Sequence, residues 1–416
     1  MTNVHDIVDR RAVVSVFQPL VEIGTGRVLG YEALSRGPAG TRWESPATLF
    51  AEARAAGRDA ELDWVCRASA YRAALDAGLD AGVALFVNME PEAWRTPCPP
   101  DLRAVVERAH ERLHVITEMT ERAIAEDPAA LLSATAHCRA VGWGVALDDV
   151  GANPASLALM PFVRPDVVKL DMQLLHAPDD PHTARVVAAV AAYAESTGAV
   201  VLAEGIETQR HLATARVMGA TVGQGWRFGR PGPLPPAAPS GVGSPFVTQV
   251  AGPQDDRTPF AVVSSKRPVR RTTKADLMPL SRHLEALALE GPEPPVLLAC
   301  FQHSRHFSAA TARRFTRIAA HSPLVAALGE GLTPIPARGV RGADLAFGDL
   351  LRGEWNVIVV GPHRAAALVA HDLGDVGTDG DRRFDFALTH DRPLVIEAAR
   401  SLLRNLAPAH TPVLTG

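Results

Sequence analysis

Side chains of metal-binding type stand at the ends of apolar, strand-like segments and recur at a fixed spacing. Asn88, Glu118 and Asp148 each end such a segment and lie 30 residues apart, the length of one strand-helix unit. Near-continuous apolar strands that alternate with helices are typical of a parallel sheet covered by helices. Roughly seven or eight such strands within about 220 residues favour a closed TIM-type barrel over an open, doubly wound sheet. No glycine-rich phosphate loop follows any strand, which also disfavours the open sheet.

A second, smaller domain is predicted after the barrel. The segment 232–257 is rich in Pro, Gly and Ser without a period, which indicates a linker. We therefore predict an α/β protein with a TIM-type barrel over 1–231, a smaller α/β domain over 258–406 and a disordered tail over 407–416. Helices are predicted near 59–79, 101–110, 128–140, 155–162, 183–196, 208–217, 308–320 and 363–371.

Composition excludes several classes of protein. The formal net charge is −4, which gives no case for a general binder of nucleic-acid polymers. No run of about 18 apolar residues is free of charge and no signal-peptide pattern opens the chain, so we expect no membrane insertion and a cytoplasmic location. The four cysteines lie far apart with no CxxC pair, which excludes a zinc finger. The basic stretch 266–274 is interpreted as a solvated face.

Acidic and amide side chains should converge at one end of the barrel, because the carboxyl ends of its strands meet there. Carboxylates that directly follow a buried strand are costly to bury unless they are paired or bind a metal. Carboxylate and amide oxygens suit hard cations such as Mg²⁺ or Mn²⁺. Adjacent Asp148 and Asp149 could hold two ions about 4 Å apart, as in two-metal phosphodiester hydrolysis. The strand-end residues are Glu32, Asn88, Glu118, Asp148, Asp149, Lys169, Asp171, Glu204 and Gln224.

Lys169 is unusual because the chain has only three lysines among its 42 basic residues. The other two, Lys266 and Lys274, lie beyond the barrel. A compact ammonium can touch a water or a phosphate oxygen as a point charge, whereas arginine would present a wide fork. The position of Lys169 beside the acids favours a functional role over a lysine that survives by chance.

The same strands carry an ordered set of short motifs. They are Phe17-Gln18-Pro19-Leu20, Glu32-Ala33-Leu34 followed by Arg36, Phe86-Val87-Asn88, Glu118-Met119-Thr120-Glu121, Asp148-Asp149, Lys169-Leu170-Asp171, Ala203-Glu204-Gly205-Ile206-Glu207-Thr208 and Gly223-Gln224-Gly225-Trp226. In this order, over about 13–231, they resemble the EAL family of cyclic di-GMP phosphodiesterases. The triplet alone carries no weight, whereas the ordered set is specific.

The resemblance implies hydrolysis of one phosphodiester of cyclic di-GMP to linear pGpG, with two ions of Mg²⁺ or Mn²⁺. The implied ligands are Glu32, Asn88, Glu118 and Asp148 for one ion, and Asp148 with Asp149 for the second. The implied catalytic residues are Glu204 as general base, Lys169 beside the attacking water, and Glu207 and Glu121 in support. The implied substrate-binding residues are Gln18, Leu34, Arg36, Asp171 and Gln224.

One segment departs from the family. After the aspartate pair the family continues Phe-Gly-(Thr/Ala)-Gly-Tyr-Ser-Ser, whereas 150–156 read Val-Gly-Ala-Asn-Pro-Ala-Ser here. In the family this loop ties the second metal to the interface of a homodimer and is anchored at the position of Glu121. Pro154 stiffens the loop and removes a backbone donor. The alternative of a cyclic di-GMP receptor with little or no hydrolysis therefore stays open, whereas a bifunctional enzyme is disfavoured because no Gly-Gly-(Asp/Glu)-Glu-Phe motif exists.

The second domain carries a separate resemblance. Its stretches 296–315, 354–373 and 382–403 resemble the DICT sensory domain of bacterial signalling proteins. The resemblance implies a sensory role without naming the ligand, so an unknown small ligand or partner protein is expected there. His303 and His306 have no carboxylate at ligand spacing, so we interpret them as polar surface or core hydrogen-bonding residues instead of metal ligands.

Overall fold

The structure, a computed structural model, describes residues 3–90, 93, 96–120, 126–152, 156–235, 245–248, 256–290 and 293–407. These residues form two compact units, one built on a closed barrel and the other on an open sheet. None of the described helices is long and apolar enough to cross a membrane. Glu121, the loop residues 153–155 and the predicted tail from residue 408 onward lie outside the described residues.

The predicted TIM-type barrel is confirmed, with eight strands that close in chain order. The strands are β1 (Val14–Glu22), β2 (Val28–Arg36), β3 (Ala84–Asn88), β4 (His114–Thr120), β5 (Gly144–Val150), β6 (Val167–Leu170), β7 (Val200–Ala203) and β8 (Val222–Gly223). Neighbours from β2 to β8 are parallel, but β1 pairs antiparallel with β2 and β8. A short turn joins β1 to β2 as a hairpin, and Gly26 at its end has a φ of 77°, which glycine adopts without strain.

Helices connect the parallel strands on the outside of the barrel. Their bounds are Val4–Asp9, Pro46–Ala55, Asp59–Asp76, Arg103–Arg112, Pro128–Ala140, Ser156–Val163, Met172–His176, Pro181–Thr197 and Gln209–Val217. Side-chain caps set several of the starts. Asp180 accepts from the backbone N–H of His182 at 2.8 Å, and Thr208 accepts from that of His211 at 3.1 Å. The predicted helices of this region are therefore present, with ends shifted by a few residues.

A residue of the predicted linker fills the interior of the barrel. Phe246 is only 2% exposed, and its ring lies 5.2 Å from that of Phe86, edge to face. The other members of this core are Leu20, Leu29, Ala84, Ile116, Ala146, Val167, Leu202 and Val222. Many of them come from the first residues of their strands, so Phe246 lies at the end of the barrel opposite the strand-end carboxylates. The Pro- and Gly-rich composition gives no sign of this anchor.

The second unit is a seven-stranded sheet in the order β12-β11-β10-β13-β14-β15-β9. The strands are β9 (Arg270–Thr273), β10 (Val296–His303), β11 (Val325–Glu330), β12 (Arg341–Ala343), β13 (Glu354–Val360), β14 (Ala365–Asp372) and β15 (Arg383–Thr389). The helices are Pro259–Ser264, Lys274–Leu287, Ala309–Ala319 and Arg392–Leu403. β10, β11 and β12 are parallel, and the remaining pairs are antiparallel. The predicted smaller α/β fold is thus confirmed.

The predicted helix near 363–371 is wrong, because these residues belong to strand β14. A run of three alanines from Ala365 to Ala367 favours a helix in isolation. Here β14 is paired with β13 on one side and β15 on the other, and residues 366–370 are all buried. A strand covered on both faces lacks the alternation of apolar and polar residues that would have distinguished it.

Part of the basic stretch forms the edge strand β9. Arg271 on this strand is 56% exposed at its side chain, and its Nε lies 2.7 Å from Asp385 Oδ1 on β15. Charged side chains on an edge strand oppose pairing with other chains. The structure therefore agrees with a solvated face for Arg270 and Arg271, but not for Lys274, whose side chain is only 14% exposed.

Candidate metal centre at the carboxyl ends of the barrel strands

Lys169 on β6 lies among the acidic side chains and is only 1% exposed. Its Nζ lies 2.6 Å from Glu118 Oε1, 2.8 Å from Asp148 Oδ1 and 2.7 Å from Glu204 Oε1. The carboxylate of Glu32 is 3.8 Å away. These side chains come from four strands and the segment after β7, so the structure brings together the strand-end residues that the 30-residue spacing predicted.

The cluster carries far more negative than positive charge, since five carboxylates, Asp149 included, share one ammonium. Burial first, and then the charge of Glu32, raises the pKa of Glu118 well above its usual value. Burial also raises the pKa of Glu204 to about 8. Burial opposes the charge of Lys169, but the surrounding carboxylates raise its pKa well above the usual value. The site therefore lacks positive charge to match its carboxylates.

We expect the metal-free protein to lose thermal stability as the pH rises from about 5 to 8. The pKa of Glu204 is raised in the folded state, so its contribution is present below the ordinary pKa of about 4.5 and is lost as the pH approaches 8. Melting temperatures measured in EDTA across this range should fall by several degrees. Glu118, whose pKa is also raised, contributes a fall of the same sign, so Glu204→Gln should make the slope shallower without removing it. An unchanged slope in this variant would show that Glu204 does not contribute.

Two successive carboxylates of β5 can serve one metal site. In a regular strand neighbouring side chains point to opposite faces. Asp149 instead has a φ of 56°, and the register with β6 shifts between Leu147 and Val150. Asp148, Asp149 and Glu204 each offer an oxygen, and these atoms lie within 4.8 Å of one another. This all-oxygen donor set fits hard cations such as Mg²⁺ or Mn²⁺.

Two buried amides support Glu32. The Nε2 of Gln224 donates to Gln18 Oε1 at 3.0 Å and also to Glu32 Oε2. Gln18 lies opposite Glu32 in the pairing of β1 with β2, and its Nε2 donates to the carbonyl of Gly229 at 3.1 Å. The antiparallel strand β1 thus contributes a side chain from its middle, and so does its partner β2, where Glu32 is the central residue instead of a strand end.

Asn88 is held by contacts that the sequence analysis did not predict. Its Nδ2 donates to Glu118 Oε2 at 3.1 Å, which leaves its amide oxygen for a cation. Two residues later, the backbone N–H of Glu90 donates to Asp63 Oδ1 at 3.0 Å. Asp63 forms a buried ion pair with Arg67 at 2.6 Å, one turn further along the same helix. The only sequence signal is a pair of opposite charges four residues apart, which surface helices also carry.

A cavity of about 260 Å³ opens beside the carboxylates. Its walls include Asn88 and Glu118 on the side of the cluster, and Leu34 and Arg36 at the end of β2. Apolar Phe50 lies on another wall. The Arg36 Nη1 donates to a backbone carbonyl one residue earlier at 2.8 Å. The cavity therefore joins an apolar surface and a cation to the acidic cluster.

Comparison with known families identifies the first unit. Residues 3–231, more than half of the chain, match the model of the EAL domain. The chain belongs to the EAL family. Residues 260–373 match the model of the DICT domain, described as a sensory domain in diguanylate cyclases and two-component systems. Both predicted resemblances are confirmed.

Three known proteins are similar in sequence to the EAL region. The uncharacterized protein y4lL of Sinorhizobium fredii is 31% identical over 53% of this chain and 26% of its own length. MucR of Pseudomonas aeruginosa, a bifunctional diguanylate cyclase/cyclic di-GMP phosphodiesterase, is 28% identical over 55% of this chain and 35% of its own length. A manganese/cyclic di-GMP complex of Klebsiella pneumoniae BlrP1 is 28% identical over 53% of this chain and 56% of its own, with a TM-score of 0.46. The chain thus spans about a third or less of the two curated relatives.

Two further residues that the EAL resemblance implied for the site, Asp171 and Glu207, do not contact the carboxylate cluster among the described contacts. Asp171 is 8% exposed, and its Oδ1 accepts from the backbone N–H of Gln173 at 2.7 Å, so it caps the following helix. Glu207 is exposed, and its carboxylate has no ion pair or hydrogen bond within the part of the chain that the structure describes. Their roles toward substrate stay predictions, as does that of Glu121, which lies outside the described residues.

Proposed function

We propose that the EAL barrel hydrolyses one phosphodiester bond of cyclic di-GMP to give linear pGpG. The observation that carries the proposal is the cluster of four carboxylates around buried Lys169, with the Asp149 carboxylate close to two of them, Asp148 and Glu204. Membership of the EAL family supports it, as does the description of the relative MucR as a cyclic di-GMP phosphodiesterase. Catalytic groups at this end of a TIM-type barrel follow the general rule for the fold.

Two divalent cations, Mg²⁺ or Mn²⁺, would be held by this donor set. With all five carboxylates ionised and Lys169 charged, the site would carry an excess of four negative charges, which two such ions would offset. Bound there, the cations supply polarisation of the phosphoryl oxygens and a nucleophilic water near neutral pH. The proposed ligands are Glu32, Asn88, Glu118 and Asp148 for the first ion and Asp148 with Asp149 for the second.

The protein side chains then move protons and hold charge. Glu204 takes one proton from the attacking water while the oxygen of that water forms a bond to phosphorus. One ester P–O bond breaks, and the released oxygen takes up a proton. Lys169 holds a fixed positive point charge beside the phosphoryl oxygens, where its burial strengthens the interaction. Gln224 and Gln18 keep the carboxylate of Glu32 oriented through their hydrogen bonds.

The cavity beside the cluster is proposed to hold part of the dinucleotide. Its apolar wall suits a guanine base, and Arg36 can pair with a phosphate. We also propose that the second unit regulates hydrolysis in response to a signal. The match of residues 260–373 to a domain described as sensory supports this.

The test is incubation of the full chain with cyclic di-GMP and Mn²⁺ or Mg²⁺, followed by chromatographic separation of pGpG. We expect pGpG to accumulate with either or both cations and to stop in EDTA. Binding of cyclic di-GMP without pGpG under both cations would contradict hydrolysis and favour a receptor.

A further inference from the structure

The second unit contains a cavity of about 270 Å³ that no established property of the protein uses. It lies over the central strands β10 and β13, between the helix Lys274–Leu287 and the helix Ala309–Ala319. Phe301 and Trp355 form its aromatic surface, and Met278 adds a further apolar side chain. Small-molecule sites are mostly about 300–1,000 Å³, so a cavity near the lower limit suits a ligand with a single ring and its charged group.

Positive charge exceeds negative charge around this cavity. Arg314 is paired with Glu285 at 2.7 Å, and Lys274 is paired with Asp379 at 2.6 Å. Two further lining residues, Arg282 and Arg305, are exposed, and their guanidinium groups have no ion pair within the described ranges. The cavity therefore offers two cations that are free to meet an anion.

His306, on the same wall of the cavity, lies between two cationic side chains. The Nζ of Lys274 is 3.2 Å from its Nδ1, and the Nη1 of Arg382 is 3.3 Å from its Nε2. Burial, and then the charge of Lys274, lowers the pKa of His306 to about 4, so the ring is neutral near pH 7. A neutral imidazole has one acceptor nitrogen only, so one of the two cations faces a ring N–H in place of a lone pair. The carboxylate of Asp379 accepts from both cations, at 2.6 Å from Lys274 Nζ and 3.1 Å from Arg382 Nη1, so the cations left for a ligand are Arg282 and Arg305.

Gln302 adds a strained backbone position to the lining. It is 8% exposed and has a φ of 65°, which is uncommon for a residue other than glycine. The strained residue ends the regular pairing of β10 with β11, where the register shifts between Cys300 and His303. Its side chain accepts from Arg382 at 2.9 Å and donates to Asp372 at 3.1 Å. Such strain concentrates at ligand-binding sites.

We propose that this cavity binds a small aromatic anion, with a carboxylate or a phosphate as its charged group. The ring would lie against Phe301 and Trp355, and the charged group would meet Arg282 and Arg305. The proposal thus gives the ligand of the second unit a chemical class, a small aromatic anion, and a binding site, the cavity between the two helices.

Calorimetric titration of the full chain with phenyl phosphate and with phenylacetate tests the proposal. EDTA is present, so that the carboxylate cluster of the barrel repels both anions. Benzyl alcohol is the neutral comparator. We expect saturable binding of one anion per chain for at least one probe, and at least about tenfold weaker binding of the alcohol. The probe that binds more tightly distinguishes phosphate from carboxylate.

Matched variants locate the binding. Arg282→Gln and Arg305→Gln should each lower the affinity for the anion about tenfold, because each removes a charged hydrogen-bond donor. Arg317→Gln, an exposed arginine on the helix Ala309–Ala319 that does not line the cavity, should leave binding unchanged.

A second pair of variants tests the cavity itself. Ala310→Phe fills it from the exposed lining residue Ala310 and should abolish binding, whereas Ala320→Phe, exposed beyond the cavity, should not. Three results would overturn the proposal: no binding of either anion, equal binding of benzyl alcohol, or wild-type affinity in Ala310→Phe.

Discussion

Asp148→Asn is expected to slow hydrolysis of cyclic di-GMP by at least roughly a thousandfold. Asparagine has nearly the same shape as aspartate but lacks its charge. In the proposed site Asp148 would be a ligand of both cations, so the substitution would weaken the binding of each. Its Oδ1 is also 2.8 Å from Lys169 Nζ, so the exchange removes one of the charges that hold the lysine in place. The initial rate of pGpG formation with saturating Mn²⁺ measures the effect.

Asp180→Asn is the matched control for this prediction. Asp180 caps an outer helix of the same barrel at an exposed position, and asparagine caps helices equally well. This variant should keep the wild-type rate. Melting temperatures should separate the two variants further, since a cation at a hundred times its Kd stabilises by about 2.7 kcal/mol. Near-normal turnover in Asp148→Asn would show that Asp148 is not a ligand.

Lys169→Arg is expected to lower kcat at least about a hundredfold, with little change in the affinity for cyclic di-GMP. The ammonium of Lys169 lies within 2.8 Å of three carboxylate oxygens and is 1% exposed, so the wider guanidinium has no space without displacing a neighbour. Single-turnover rates and equilibrium binding, measured on the same preparation, separate the chemical step from binding.

The same exchange at Lys266 provides the comparison. Lys266 is exposed and belongs to the basic stretch of the second unit, so Lys266→Arg should leave both quantities unchanged. If Lys169→Arg keeps its kcat, then a point charge is not required at this position and the proposed role of the lysine is wrong.

The acidic cluster was predictable because parallel strands bring their carboxyl ends to one face, whatever lies between them. Asn88, Glu118 and Asp148 could therefore be placed together from their 30-residue spacing, and Lys169 from its position at the end of a strand-like segment. The antiparallel direction of β1 was not predictable in this way, because an apolar run reads the same whichever direction the strand takes in the sheet. As a result, the hydrogen bond between Gln18 and Gln224 emerges only from the structure.

Other features depend on contacts between distant residues and leave no local pattern. The alanine-rich strand β14 has the composition of a helix, and only its pairing on both sides decides its conformation. The buried pair Asp63–Arg67 looks like an ordinary surface pair until the fold covers it. In the same way, the cavity of the second unit arises where two helices meet the central strands, which no single segment of the sequence indicates.

Because of Phe246, the end of the EAL family match and the end of the folded barrel fall at different residues. The EAL motif region ends at residue 231, yet the barrel closes its floor with an aromatic ring supplied 15 positions later. A rearrangement that joined another domain directly after residue 231 would leave a cavity lined by Phe86 and aliphatic side chains, at a cost of roughly 3–5 kcal/mol. We therefore expect this barrel to keep its full stability only when residues 245–248 stay attached to it.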